Sequence, residues 1–249
     1  MITSKDNDKI KYLKKLTSTK HRKREKKFLV DDLKTYNEGI KCGFKPVSLF
    51  VSKKFEDLTV PEGCNFFEVK HSVLASVSNQ PSFSGIIAVF KLPDFKKDVF
   101  NSQRIAVLDG VQNPENVGAI LRSAALFDFN SVILTHNSAD PFSLKSVRAS
   151  KGGIFYLKTA RLSKEEILEG LKDRRIFLAE KKGGKGLYQV KVPKEKFAIV
   201  LGSEGSGIEK DFLKIGEKIT IPTTGLIDSL NVAVSCGIIM SRMFGGIGE

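Results

Sequence analysis

From residue 104 onward, short apolar runs alternate with amphipathic segments, and this alternation constrains the fold more than any other feature of the sequence. The runs are apolar at nearly every position, so they predict strands that are buried on both faces. Such strands are predicted at residues 105–108, 131–134, 176–179, 197–201 and 219–221, and helices at residues 117–127, 143–150, 163–171, 208–215 and 229–243. The sequence therefore predicts an α/β domain with a parallel sheet that helices cover on both sides.

The first ninety residues have a more mixed pattern, which predicts a smaller α/β domain. Ile10, Leu13 and Leu16 recur at helical spacing, and Ser4 is a candidate N-cap for that helix. Strands are predicted at residues 28–30, 47–51 and 85–90, and helices at residues 32–42 and 69–77. The polar stretch at residues 95–103 predicts a linker, so we expect domains at residues 1–95 and 104–249.

Positive charge is concentrated at the start of the chain. The 249 residues have a formal net charge of +13, and residues 1–27 hold eleven Lys or Arg against three Asp or Glu, which gives +8. A basic segment of this density favours a polyanionic partner, most commonly nucleic acid. A solvated basic face is the alternative. The candidate phosphate contacts are Lys20, Arg22, Lys23, Arg24 and Lys26.

The cysteines and the apolar tracts exclude several other classes of protein. Cys42, Cys64 and Cys236 form no CxxC pair, and there are only three His, so no zinc or disulfide framework is expected. This usage predicts a protein of the reducing cytoplasm that binds no metal. Residues 230–247 are too short and too polar for a membrane span, so no membrane partner is expected.

Three loops that follow predicted strands carry the residues most suited to chemistry. The first, at residues 109–122, contains Asn116 and Arg122; the second, at residues 202–207, reads GSEGSG; the third runs from Ile219 to residue 235. Ligands of parallel sheets bind beyond the carboxyl ends of the strands, where such loops lie. The glycine order GxxGxG is neither a dinucleotide fingerprint nor a phosphate loop. Glu204 would repel phosphate, so the second loop suits a ligand with a cationic or hydroxyl-bearing part.

Each of these residues also has an ordinary structural explanation. Asn116 could cap the helix that follows it, and Arg122 could be a surface charge. Ser229 could cap the final helix, whereas capping explains Asn231 less easily because it would be the second or third helical residue.

Taken together, the three loops resemble the SpoU (TrmH-like) branch of the SPOUT RNA methyltransferases. The family motif N-x-G-x-x-x-R is matched by Asn116, Gly118 and Arg122, and the motif G-S-E-G-x-G by residues 202–207. The third motif is matched by Ile221 and Pro222 and by residues 229–234, SLNVAV. Residues 1–92 resemble the L30e-like substrate-binding domain of many members.

The resemblance implies a fold and a reaction that periodicity alone does not indicate. The expected fold is an N-terminal L30e-like α/β domain followed by a SPOUT parallel-sheet domain with a deep trefoil knot. The implied activity is transfer of a methyl group from S-adenosyl-L-methionine to a ribose 2′-hydroxyl of RNA, most fittingly ribosomal RNA of the 23S type. The family also implies a homodimer formed through the catalytic domain.

The same resemblance implies roles for individual residues. Arg122 would activate the ribose hydroxyl, and the other expected catalytic residues are Asn116, Glu204, Ser229 and Asn231. The expected cofactor-binding residues are Leu201, Gly202, Ser203, Gly205, Ile221, Pro222, Leu230, Val232 and Ala233. Many relatives have Ala-Thr where this chain has Ala179-Glu180, so cofactor contacts from that loop are not expected.

Three other functions stay open at this point. The chain could carry out the same chemistry on tRNA, or it could be an inactive relative that only binds RNA. A nucleotide-binding oxidoreductase is disfavoured by the glycine order of the second loop.

Overall fold

The computed structural model describes residues 1–244 and divides the chain into two compact units. The first unit contains Met1–Pro93 and Asp140–Phe155, and the second contains Asp94–Ala139 and the chain from Tyr156 onward. Residues 140–155 lie inside the segment expected to form the second domain, yet they cluster with the first unit. Each unit has its own sheet and its own core.

A parallel sheet of seven strands forms the centre of the second unit within the described residues. The strands are β5 (Arg104–Asp109), β6 (Ser131–Thr135), β7 (Lys158–Leu162), β8 (Arg175–Ala179), β9 (Lys185–Gly186), β10 (Phe197–Gly202) and β11 (Glu217–Thr220). Their order is β7-β6-β5-β10-β8-β11-β9, and every neighbouring pair is parallel. The prediction of an α/β fold with a parallel sheet is confirmed, although the two edge strands β7 and β9 were not predicted.

Side-chain caps explain where several helices of this unit begin. They are α5 (Pro114–Leu126), α7 (Lys164–Gly170), α8 (Lys210–Leu213) and α9 (Val232–Phe244). Asn113 caps α5 and Pro114 occupies its first turn, so this helix starts three residues earlier than predicted. The predicted capping box of α7 is present, with Ser163 and Glu166 bonded reciprocally. Helix α9 starts three residues later than predicted, and residues 221–231 before it form no regular element.

The apolar strand runs meet in the core of the second unit. Val107, Leu178 and Val200 come from three different strands and are fully buried. Each buried aliphatic side chain of this size contributes roughly 1.5–3 kcal/mol through removal of apolar surface from water. Val99 is fully buried in the same cluster, and Phe100 packs against it. The stretch predicted as a linker therefore contributes to the core of this unit.

The first unit is built on a four-stranded sheet of order β1-β4-β2-β3 within residues 1–244. Its strands are β1 (Lys27–Val30), β2 (Pro46–Val51), β3 (Asn65–Glu68) and β4 (Ile86–Lys91). Its helices are α1 (Asp8–Leu16), α2 (Thr19–Glu25), α3 (Leu33–Lys41), α4 (His71–Ser78) and α6 (Leu144–Ser150). Strand β4 is antiparallel to β1 and β2, whereas β3 is parallel to β2.

Helix α1 packs one face against the core and exposes the other to solvent. Ile10, Leu13 and Leu16 are fully buried, which agrees with their predicted helical spacing. The N-cap is Asn7, whose side chain accepts a hydrogen bond from the Lys9 amide at 3.0 Å, and not Ser4 as predicted. The basic segment is thus an integral part of the first unit.

Arg22 is the one predicted phosphate contact that the structure contradicts. Its guanidinium is buried and donates to the Asp140 carboxylate at 2.6 Å and to the backbone oxygens of Leu16 and Thr17 at 3.0 and 2.6 Å. A side chain satisfied in this way has no free donor for a solvent-borne phosphate. The four other predicted residues, Lys20, Lys23, Arg24 and Lys26, are exposed.

A second buried ion pair ties α6 to the sheet of the first unit. The Asp31 side chain is 1% exposed, and the Arg148 Nε donates to both of its oxygens, at 2.9 and 3.0 Å. Ser78 Oγ and Gln80 Nε2 also donate to Asp31, at 2.6 and 2.9 Å. The carboxylate is therefore fully satisfied, and its partners depend on it in turn.

We expect Asp31→Ala to destabilise the first unit by about 3 kcal/mol, because Arg148 would keep its charge without its carboxylate partner. The measurement is hydrogen exchange of β1 and β4 amides, which reports the opening of this unit. Glu25→Ala is the matched control, since Glu25 pairs with the exposed Arg24 and such pairs contribute about 0.5 kcal/mol. Equal losses for the two variants would contradict this account of the buried pair.

Candidate active site

The three loops singled out from the sequence leave the sheet of the second unit at one edge. The first follows β5, the second follows β10 and the third follows β11. Strands β5 and β10 are neighbours, and β8 alone separates β10 from β11. Because all these strands are parallel, their carboxyl ends lie on the same side of the sheet, where ligands bind.

One side chain from each loop joins a continuous chain of hydrogen bonds. Asn116 Nδ2 donates to Glu204 Oε1 at 2.6 Å, and Asn231 Nδ2 donates to Asn116 Oδ1 at 3.1 Å. We call these three residues the Asn-Glu-Asn network. Asn116 is partly buried, whereas Glu204 and Asn231 are exposed. The structure thus brings together three of the five expected catalytic residues, across separations of 88 and 115 residues in the sequence.

The caps of the two helices at this site differ from the alternatives considered in the sequence. Asn113, not Asn116, caps α5 through the Glu115 amide at 2.9 Å. Asn231 caps α9, because its Oδ1 accepts from the amides of Ala233 and Val234 at 2.8 and 3.3 Å. The expectation that capping explains Asn231 less easily is therefore wrong. Its side chain caps the helix with its oxygen and joins the network with its nitrogen.

Ser229 and Arg122 stay outside the network. Ser229 is exposed and precedes α9 by three residues, so it does not cap that helix. Arg122 lies on α5, six residues after Asn116, and its side chain is exposed. Within residues 1–244 it has no hydrogen-bond or ion-pair partner. Its guanidinium is therefore available to a ligand.

A cavity of about 880 Å³ opens beside the network, and all of its wall belongs to the second unit. This volume is within the range of small-molecule sites. The predicted cofactor residues on its wall are Leu201, Gly202, Ser203, Gly205, Ile221, Leu230 and Val232. The expected catalytic residues Glu204 and Ser229 also line it, whereas Pro222 and Ala233 are not part of the wall.

Two stretches of the wall were not anticipated as ligand contacts. One is residues 179–182, immediately after β8, and the other is residues 223–228 in the third loop. Both follow the carboxyl end of a strand. Their position after strand ends could have indicated ligand contacts. For the first stretch, the departure of Ala179-Glu180 from the family pattern led to the opposite expectation.

The loop itself requires two of its three glycines, Gly202 and Gly207. A Cβ on Gly202 would lie 2.2 Å from the carbonyl carbon of Gly207, and Gly207 has a φ of +70°. Ser203 and Gly207 form an antiparallel bridge with backbone hydrogen bonds of 3.2 and 3.1 Å. The GxxGxG order therefore builds a tight turn that presents Glu204 and Gly205 at its tip.

A buried carboxylate anchors this turn from below. Asp109 is 2% exposed, and its Oδ2 accepts from the Glu209 amide at 2.8 Å. Gly202 is the ladder partner of Asp109, so the turn is held to the same residue at both ends. Burial raises the pKa of the Asp109 carboxyl above its ordinary value of 3.8, although the hydrogen bond from Glu209 acts in the opposite direction. This anchor was not predicted from the sequence.

We expect wild-type protein to gain stability relative to Asp109→Asn as the pH falls from about 7 to about 4. An ionised buried carboxylate destabilises the folded state above its raised pKa, and protonation removes that cost as the pH approaches 3.8. Urea unfolding at several pH values measures the difference. Asp173→Asn, at an exposed position of the same unit, should show no such trend. A difference that is independent of pH would contradict the burial argument.

The described part of the chain contains neither a metal site nor a membrane-spanning helix. No group of three or more His, Cys, Asp or Glu side chains there could hold a metal ion. No helix among residues 1–244 is long and apolar enough to cross a membrane.

Comparison with known families assigns the chain to one class of protein. Residues 103–241 match the SpoU rRNA Methylase family, which is more than half of the chain. The chain belongs to this family and is an RNA methyltransferase of the SpoU type. Residues 7–88 match the MRM3-like substrate binding domain.

Individual relatives match along nearly the whole chain. The 23S rRNA (guanosine(2553)-2′-O)-methyltransferase RlmP of Bacillus subtilis is 26% identical over 98% of this chain and 99% of its own length. The AdoMet-bound rRNA methyltransferase from Sinorhizobium meliloti is similar in structure, with a TM-score of 0.88, 25% identity and coverage of 97% of this chain and 96% of that one. A solved RNA 2′-O ribose methyltransferase has a TM-score of 0.80, 27% identity and 97% coverage of both chains.

Proposed function

We propose that this protein transfers a methyl group from S-adenosyl-L-methionine to a ribose 2′-hydroxyl of RNA, and that its substrate is ribosomal RNA of the 23S type. The observation that carries the proposal is the Asn-Glu-Asn network beside a cavity of about 880 Å³ at the carboxyl ends of parallel strands. The named activity of the B. subtilis relative supports both the ribose position and the ribosomal substrate.

The chemistry of the cavity wall fits this cofactor. Glu180, Glu204 and Asp228 line it beside Lys181 and Lys182. Carboxylates suit a sulfonium, an ammonium group and ribose hydroxyls. Leu201, Ile219, Ile221, Leu226 and Leu230 supply apolar surface for a flat purine ring. The ligand that this wall favours is therefore a nucleoside with a cationic tail.

The residues of the chain mainly position the reactants. When bound, the cofactor supplies an electrophilic methyl group. Asn116, itself held by Asn231, positions the Glu204 carboxylate on the cavity wall, where it orients the cationic end of the ligand. Fixed geometry of this kind lowers the barrier by removing the entropy cost of alignment.

Arg122 holds the RNA beside the cofactor. A guanidinium stays protonated at neutral pH, so it donates hydrogen bonds and does not take the hydroxyl proton. Its partner is the phosphate next to the target ribose, which it grips in a bidentate manner. An oxygen of that phosphate accepts the proton as the 2′-hydroxyl attacks. The exposed hydroxyl of Ser229, on the cavity wall, orients the ribose.

We expect labelled methyl groups to move from S-adenosyl-L-methionine to ribosomal RNA and to leave alkali-resistant linkages at the modified nucleotides. Arg122→Ala should lower turnover by about 10²-fold or more, because the phosphate that accepts the proton would lose its position beside the ribose. The affinity of this variant for S-adenosylhomocysteine, measured by calorimetry, should stay within a few-fold of wild type, because Arg122 does not line the cavity.

Arg175→Ala is the matched control for this experiment. Arg175 begins β8 at the opposite, amino end of the strand and pairs with Glu217 on the surface. Its loss should leave turnover unchanged. Wild-type protein that binds RNA but never methylates it would overturn the enzyme proposal in favour of an RNA-binding protein. Methylation confined to tRNA would overturn the choice of ribosomal RNA.

The first unit captures RNA through the exposed basic side chains of α2 and its C-terminal end. Lys20, Lys23, Arg24 and Lys26 are exposed, whereas Arg22 is used inside the unit. The match of residues 7–88 to a substrate-binding domain supports this role. Phosphate contacts of this kind carry no sequence information but raise affinity in a salt-dependent manner.

Substitution of Lys20, Lys23 and Lys26 by Gln should weaken RNA binding and reduce the slope of log affinity against log salt by roughly 2 to 3, since each lost phosphate contact removes about 0.7–0.9. Fluorescence anisotropy with labelled RNA at several salt concentrations measures this slope. Substitution is preferable to deletion because α1 belongs to the core. Gln at Lys191, Lys194 and Lys196, which are exposed in the second unit, is the control. An unchanged slope in the test variant would refute the contacts.

The proposed enzyme is a homodimer with a deep trefoil knot in the second unit. Exposed apolar side chains in the third loop and the start of α9 support the dimer, since Leu226 and Ile227 are 89% and 81% exposed and Val234 is 51% exposed. Such a patch favours a protein partner. The strand order supports the knot, because β10 returns to the middle of the sheet between β5 and β8.

A further inference from the structure

Glu180 lies on the cavity wall and belongs neither to the Asn-Glu-Asn network nor to the expected cofactor-binding residues. It follows the last residue of β8, and its amide donates to the Ile219 oxygen of β11 at 3.0 Å. Strand β8 lies between β10 and β11, so Glu180 sits between the second and third loops. Its backbone is therefore held by the sheet, and the residue lines the cavity.

The side chain of Glu180 is partly buried, yet no hydrogen bond or ion pair joins it to any other described residue. Lys181 and Lys182 follow it and line the same cavity, but they do not pair with it either. A carboxylate that loses part of its hydration without gaining a partner is unfavourable. Such a group at a cavity wall is explained when a ligand supplies the missing donors.

We propose that Glu180 recognises the ribose of the cofactor's adenosine by accepting hydrogen bonds from its 2′- and 3′-hydroxyls. This inference rests on the proposed function, since it assumes that the cavity holds S-adenosyl-L-methionine. A vicinal diol offers two donors at the spacing of the two carboxylate oxygens, and hydrogen bonds to a charged acceptor are the stronger kind. Glu180 thus makes the cavity selective for adenosine ligands whose ribose hydroxyls are both free.

The position of the residue accounts for this role. Glu180 lies on the wall of the cavity but outside the Asn-Glu-Asn network. Glu180 is accordingly a specificity-determining residue and takes no part in methyl transfer.

Calorimetry with S-adenosylhomocysteine and its 2′-deoxy and 3′-deoxy analogues tests the assignment. Wild-type protein should bind S-adenosylhomocysteine about tenfold more tightly than either analogue, which is the lower range for one charge-assisted hydrogen bond. In Glu180→Ala this preference should fall to less than about twofold. Glu180→Gln, which keeps one acceptor, should show an intermediate preference. Because each preference is a ratio within one variant, a small general loss of stability does not affect it.

Glu169→Ala is the matched control, since Glu169 is exposed on α7 and lies outside the cavity wall. It should keep the tenfold preference. Wild-type protein that binds S-adenosylhomocysteine without discriminating against the deoxy analogues would overturn the role of Glu180 while leaving the proposed function intact. The same holds if Glu180→Ala keeps the full preference. Failure of wild-type protein to bind S-adenosylhomocysteine at all would overturn both.

Discussion

The parallel pairing of β5, β10, β8 and β11 is the constraint on which the candidate site depends. It brings the carboxyl ends of these strands to one edge, so that loops far apart in the sequence emerge side by side. The register then determines where each loop begins relative to its neighbours, because Gly202 pairs with Asp109 and Leu201 pairs with Ala179. A slip by one position in any of these ladders would turn every side chain of that strand to the other face of the sheet and separate Glu204 from Asn116.

The sequence predicts the parallel sheet well because its central strands are continuously apolar. Burial on both faces leaves no polar position in such a strand, and this pattern is hard to produce otherwise. The edge strands β7 and β9 were not predicted because they lack such a continuous apolar run. Residues of β7 read Lys-Thr-Ala-Arg-Leu, and β9 has two residues, so neither carries the signal of a buried strand. The position of each helix start depends on which side chain finds the free amides, and several polar residues compete for that role near α5 and α9.

The site was harder to predict residue by residue, because sequence reveals a residue's charge but not what the residue contacts. Arg22 lies in the most basic stretch of the chain, yet its guanidinium donates hydrogen bonds to Asp140 and to two carbonyl oxygens inside the first unit. Asp109 gives the opposite case, since a single acidic residue at the end of an apolar strand proved to anchor the turn that carries Glu204. In both residues the deciding partner is about a hundred positions away in the sequence.

Asn231 shows how stability and geometry are joined at one side chain. Its oxygen caps α9, while its nitrogen donates to Asn116 on α5, and these two helices pack against each other. A capping residue must accept a hydrogen bond from a helix amide. A member of the network at this position must donate a hydrogen bond to Asn116. Serine and aspartate satisfy the first need, but aspartate has no donor and serine does not reach two partners with opposite requirements at once. An amide of this length meets both needs, so the start of α9 and the orientation of Asn116 are determined by the same group.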